Sequence, residues 1–211
     1  MRKIKYDKIG YWSEIKLDII KEYASAYTVI MAGQKKAKFE YIYIDAFAGA
    51  GKHISKKSRE FIQGSPLNAL NIQNPFYEYH FVDLNDLKIA ELENIKKERE
   101  NIFVYHGDCN SVLISKVFPR ADYAKYRRAL CLLDPYGLHL DWNLIKTAGE
   151  MKSVEIFLNF PMMDINMNVL KHDKEKVDEE QILRMDRFWG DNSWKEVGYE
   201  EYTTKPIWRS R

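Results

Sequence analysis

Cysteine is nearly missing from this sequence: its 211 residues hold two, Cys109 and Cys131. Their placement fits neither a disulfide framework nor a metal-ligand pair. A disulfide-stapled secreted fold and a zinc module are therefore excluded, and a reducing compartment fits. Charge of one sign is missing as well. The 33 Lys and Arg against 31 Asp and Glu leave a net charge of +2. The whole molecule then has no strong field to gather a polyanion, and any work on phosphates falls to local patches. No apolar run reaches the length of about 18 residues that a membrane span needs, and no charged start followed by an apolar stretch and small residues marks a secretory leader. The expectation is a cytoplasmic protein with no membrane partner. His53, His106 and His139 lie near expected loop ends without a second ligand at metal spacing, so no metal is expected. Internal repeats and low-complexity tracts are also lacking.

What is present is ordinary globular composition, 45% hydrophobic and 30% charged, in a length that suits one sizeable core and is short for two. We expect a single domain over 1–211: an N-terminal helix over about 12–33, a core sheet over about 39–160 and a C-terminal helical segment over 162–211. Trp12, Ile15, Ile19, Ile20, Tyr23, Tyr27, Ile30 and Met31 follow the spacing of one helix face. Strand signals, short runs rich in aromatic and β-branched residues, fall at 39–44, 79–82, 102–105, 129–133 and 154–160. Helical patterns alternate with them at 66–72, 86–98, 111–118 and 141–150. This alternation predicts βαβ units and an α/β, doubly wound, mostly parallel sheet of Rossmann-like type. Beyond it, 172–180 is charged and reads as solvated, 182–189 reads as a short helix stopped by Gly190, and nothing later resembles a strand.

In such folds ligands sit outside the carboxyl ends of the strands, so residues just after strands are the candidates. The first strand runs into Asp45, Phe47, Gly49 and Gly51, where absent side chains let backbone approach a ligand. The run Asp-x-Phe-x-Gly-x-Gly lacks the third glycine of the dinucleotide fingerprint, because Ile54 stands there. An acidic Asp45 suits the ammonium of a methionine-type zwitterion and repels a pyrophosphate. The loop therefore favours S-adenosylmethionine over NAD. Asp83, after the second strand, is placed to accept two ribose hydroxyls on its carboxylate. Asp108, after the third, is placed to accept from an adenine amino group. Each alone reads equally as a turn or helix cap; their shared placement makes a coherent cofactor site.

The fourth strand runs into Asp134-Pro135-Tyr136-Gly137. Asp134 and the Pro135 carbonyl can each accept one proton of a target amino group, and Tyr136 offers a face for an extruded base. The bland reading is a β-turn. Tyr-Ile-Asp-Ala-Phe-Ala-Gly-Ala-Gly over 43–51, with Gly64-Ser65-Pro66-Leu67, Asp134-Pro135-Tyr136-Gly137 and Phe157-Leu158-Asn159-Phe160 through Asp164-Ile165-Asn166, resembles the three-Cys-motif partner protein family from Trp12 to about Trp194. The resemblance implies a methyltransferase-like fold and a partner protein that carries the three-cysteine motif. More distantly the loops resemble adenine-N6 methyltransferases, whose fourth-strand motif is Asp-Pro-Pro-Tyr; here Tyr136 takes the second proline's place and Gly137 the tyrosine's. An amino group of a nucleic-acid base is the acceptor this implies.

Such folds continue into a closing strand pair, which this sequence does not show. The expectation is a missing C-terminal hairpin, an uncovered sheet edge and self-association through it. Lys52, Lys56, Lys57 and Arg59, beside the glycine loop, read either as phosphate contacts or, more simply, as a solvated loop. Ser65-Pro66 reads as a helix start. Lys125, Arg127 and Arg128 form a basic group before a strand, and Asn159 ends the fifth strand or lends an amide to the pocket. The leading function is an S-adenosylmethionine-dependent methyltransferase. The alternative is a scaffold or cofactor-binding partner of a three-cysteine-motif protein, without turnover.

Overall fold

The computed structural model describes residues 4–34, 38–171 and 176–203. The sequence readings for 172–175 and for the end of the chain, 204–211, lie outside the described residues. The chain divides into two compact units, one drawn from residues up to Leu133 together with Thr147–Leu158, the other from Asp134–Lys146 with the residues from Asn159 onward.

The first unit holds a five-stranded parallel sheet: β2 (Glu40–Asp45), β5 (Glu78–Asp83), β6 (Ile102–His106), β7 (Arg127–Leu133) and β8 (Val154–Leu158), in the spatial order β6-β5-β2-β7-β8. The strands run outward from β2 to β6 on one side and then return to β7 and β8 on the other. The order thus reverses at β2 and β7, as in doubly wound sheets in general. Both faces of the central strands are buried. Tyr43, Tyr79, Phe81, Leu130 and Leu132 enter one core cluster with Ile20, Ala24 and Tyr27 of helix α1 (Tyr11–Ala32) and Leu92 of α3 (Asp86–Lys96). The alternate residues Ile42, Ile44, Val82, Ala129, Cys131 and Leu133 are buried too, the pattern of a parallel sheet covered on both sides. Burial pushes the Cys131 thiol well above its ordinary value. Both cysteines are buried core residues, and neither is in a disulfide.

Residues 52–63, which carry the basic side chains read as phosphate contacts or as a solvated loop, have strand structure that the sequence reading did not expect. These residues form a hairpin, β3 (Lys52–Ser55) antiparallel to β4 (Phe61–Gln63), and β1 (Lys8–Ile9) adds in parallel to β3. Ser55 fixes the turn: its hydroxyl accepts from the backbone of Lys57 and Ser58, both at 3.2 Å, and donates to Glu14 of α1 at 2.8 Å. The pairing with β1 spans more than forty positions, so no local pattern announces it. Lys52, Lys56, Lys57 and Arg59 remain exposed on this hairpin. The expected helix at 66–72 is α2 (Ser65–Leu70), with proline in its first turn. The helix expected at 111–118 starts earlier, as α4 (Cys109–Val112), and widens through Val117.

Between β7 and β8 runs α5 (Trp142–Met151). The second unit carries α6 (Met162–Asp164), whose turns widen through Val169, then α7 (Glu179–Trp189) and α8 (Trp194–Thr203). Asp178 caps α7 and Gly190, at φ 105°, ends it. Phe160 and Phe188 meet edge to face at 5.3 Å, and the Trp194 indole donates to Asp186 at 2.7 Å.

Candidate cofactor site

The glycine loop begins where β2, the middle strand, leaves the core. Asp45 is fully buried, and its Oδ1 accepts from the Phe47 N–H at 3.2 Å, which turns the chain. The loop is then pinned to both neighbouring strands: Ala46 N–H donates to Leu132 O at 3.1 Å and Ala48 N–H to Val82 O at 3.0 Å. Gly49, at φ 66°, points its N–H at Asp83 Oδ2, 2.9 Å away. A Cβ at Gly49 would meet nothing within 4 Å, so the space beside this backbone is open. Gly51 differs. It is backed by Gly64, whose N–H donates to its carbonyl at 2.8 Å and whose own Cβ, if present, would lie 3.1 Å from it. Gly49 serves conformation and open approach, Gly51, at φ 75°, serves conformation and close packing, and Gly64 serves close packing.

Asp83 ends β5. Its Oδ1 accepts from Asn85 N–H at 2.8 Å while Oδ2 holds Gly49. Both oxygens are thus engaged by backbone, and each keeps a second acceptor position. Asp108 is exposed and caps α4: Oδ2 accepts from Ser111 N–H at 3.1 Å and Oδ1 from the Asn110 amide at 3.2 Å. It follows Gly107, whose N–H donates to Asp83 O at 3.1 Å. Asp45, Asp83 and Asp108 therefore stand at the carboxyl ends of three adjacent strands, β2, β5 and β6. Phe47 is half-buried within the loop.

The second unit holds the other candidates. Asp134 follows the last residue of β7, and its Oδ1 accepts from the Asn159 amide at 2.7 Å. Pro135 is buried, while Tyr136 is 72% exposed. Gly137 is tightly seated: a Cβ there would lie 2.7 Å from Asp164 Oδ2. That oxygen accepts from Leu138 N–H at 3.0 Å and from Arg184 at 3.3 Å. Gly137 is required by packing, which explains why no tyrosine occupies the fourth position of this turn.

No family model matches the chain, and no curated protein matches it. Among solved structures it is similar to protein LPL1258 from Legionella pneumophila str. Philadelphia 1, described under the family model DUF519, with 13% identity and a TM-score of 0.49 over 82% of this chain and 74% of that one.

Among the described residues no group of three or more His, Cys, Asp and Glu could hold a metal ion, and no helix is long and apolar enough to cross a membrane. A doubly wound parallel sheet with a glycine loop at the end of its middle strand is compatible with nucleotide-type cofactors in general. The sequence reading missed one buried polar group. Glu78 and His80, two apart on β5, bond at 3.1 Å, and Arg120 forks onto Glu78 at 2.8 and 2.7 Å. A charged residue and a histidine at strand spacing inside an otherwise apolar run, Glu-Tyr-His-Phe-Val, was the available signal.

Proposed function

We propose that this chain is an S-adenosylmethionine-dependent methyltransferase acting on an amino group of a nucleic-acid base. The observation that carries the reading is the row of carboxylates Asp45, Asp83 and Asp108 at the carboxyl ends of three adjacent parallel strands, with Gly49 oriented by Asp83 and open space beside it. Asp45 neutralises the amino-acid ammonium, Asp83 accepts ribose hydroxyls on its remaining acceptor positions, and Asp108 accepts from the adenine amino group. Phe47 and the backbone of Gly49 and Gly51 complete the floor. S-adenosylmethionine, when bound, supplies the methyl group. Asp134 and the Pro135 carbonyl accept the two protons of the target amino group, and Tyr136 stacks on the base. Asn159, through its bond to Asp134, sets the plane of that carboxylate. Rate then comes mainly from positioning. The methyltransferase-like form of the fold and a partner bearing a three-cysteine motif belong to the same proposal, on the resemblance of the loops; this chain's own two cysteines are buried.

A second reading, a partner that holds the fold without turnover, is favoured by one observation. Asp83 and Asp108 already serve the loop and a helix cap. Calorimetric titration with S-adenosylmethionine separates the two in part, because no heat at high micromolar cofactor ends the enzyme reading. If it binds, Asp134→Ala is expected to abolish methyl transfer to oligonucleotides with cofactor affinity nearly unchanged. A large loss of affinity would show that the loop is wrongly assigned.

A further inference from the structure

The amino-terminal ends of β2, β7 and β8, away from the glycine loop, carry a second arrangement. Arg128 lies between two rings, its guanidinium carbon 3.9 Å from the Tyr123 centroid and 4.9 Å from that of Phe39. Phe39 in turn meets Tyr126 edge to face at 6.0 Å. Tyr123 and Tyr126 are 56% and 55% exposed, and both sit in a tight turn in which Tyr126 adopts φ 56°. These rings are held outward by the backbone, where burial gives no reason for them.

The charges nearby divide into two kinds. Arg127 is taken by Glu40 at 2.8 Å, Arg120 by Glu78, and Lys125 by Asp122 at 3.4 Å. Arg128 instead donates to two backbone carbonyls, those of Tyr123 at 3.3 Å and Arg127 at 2.7 Å. Among the described residues no carboxylate pairs with it, and none pairs with Lys152. A cavity of about 420 Å³, in the size range of small-ligand pockets, opens beside them. It is lined by Tyr27, Met31, Phe39, Arg128, Lys152 and Glu155, among others. Glu155, which takes the Tyr23 hydroxyl, is the anion of this lining. It repels a phosphate but accepts from the exocyclic amino group of a base. Exposed rings and cations without a carboxylate partner, beside a hollow that Phe39 lines and that holds one acceptor, are the elements by which single strands are held: stacking on ring faces, phosphates on cations.

We infer that this end of the sheet binds single-stranded nucleic acid, with bases on Phe39, Tyr123 and Tyr126 and phosphates on Arg128 and Lys152. The surface extends the reading of a nucleic-acid acceptor but uses none of its site residues. Duplex is disfavoured, since its bases offer no free faces to stack.

The test is fluorescence anisotropy with short labelled oligoadenylate, single-stranded and as duplex, using the full chain without S-adenosylmethionine. Saturable binding that prefers the single strand is expected. Tyr123→Ala and Tyr126→Ala are each expected to weaken it roughly tenfold, and Lys152→Glu to weaken it and reduce the salt slope by about 1. Thermal melts check that the variants stay folded, and the exposed Tyr126 serves where Tyr123→Ala does not. No saturable binding by the parent chain, equal affinity for duplex, or folded variants that bind like the parent would overturn the inference. Because cofactor is absent throughout, failure here leaves the methyltransferase proposal standing, and failure of cofactor binding leaves this surface standing.

Discussion

Gly137 shows how one atom can decide a residue. Its place in the Asp134 turn is bounded by the Asp164 carboxylate, which holds Leu138, Asn168 and Arg184 through hydrogen bonds of 3.0, 2.7 and 3.3 Å. A methyl group at Gly137 must push that carboxylate off its partners. Gly137→Ala is therefore expected to destabilise the protein by about 1–3 kcal/mol, the cost of leaving such groups unsatisfied. In an Asp164→Ala background the same substitution should cost much less, a coupling that thermal melts of the four-member cycle would measure. Equal costs in both backgrounds would refute the packing account. The turn's glycine is plain in the sequence, but the neighbour that requires it lies 27 positions away and is seen only in the fold.

At the scale of elements, β5 carries an ion pair that contributes to acid stability. Burial pushes the Glu78 carboxyl up, but hydrogen bonds from His80 and Arg120 outweigh it and hold it at about 2, against an ordinary 4.5. Burial lowers His80 below its ordinary 6.5, with Glu78 opposing the change. The neutral imidazole donates from Nε2 to Glu78 and accepts at Nδ1 from Tyr105, at 3.1 Å each. Both groups bind protons more readily unfolded than folded. Their contribution is complete above about 6.5, falls below that pH because the unfolded His80 takes up a proton that the folded one resists, and falls again between about 4.5 and 2 as Glu78 protonates. Glu78→Gln should flatten the lower limb of melting temperature against pH and cost on the order of 2 kcal/mol at neutral pH; an unchanged limb would remove Glu78 from the account. The outer edge of β8 makes a separate prediction. Among the described residues no strand pairs with it, and Val-Glu-Ile-Phe-Leu carries no proline or lysine to guard it. Sedimentation velocity over a range of concentrations should show self-association, and a concentration-independent monomer would refute this.

For the whole molecule the near balance of charge matters most. With a net charge of +2, binding of a polyanion must come from placement, such as Arg128 and Lys152, and the molecule has no long-range field to add. Ligand linkage is the global test of the cofactor proposal. A ligand that binds the folded chain alone stabilises it by about 2.7 kcal/mol at a hundredfold excess over Kd. S-adenosylmethionine should therefore raise the melting temperature by several degrees while NAD leaves it unchanged. A shift with NAD alone would favour an oxidoreductase.

The sequence by itself determined the five strands of the sheet, because each is a short apolar run between turn residues and local patterning suffices to write it. It also determined that Asp45, Asp83 and Asp108 follow strands in order. Tertiary structure decided what those acids already hold: Gly49 and Asn85 for Asp83, a helix cap for Asp108. It decided the β3–β4 hairpin and the strand from the amino terminus that pairs with it, and it brought Tyr123, Arg128 and Phe39 together at the sheet's end. The division has one physical cause. Hydrophobic periodicity is local and survives in the sequence, whereas a hydrogen-bond partner or a stacking ring is supplied by whatever residue the fold carries to within a few ångströms.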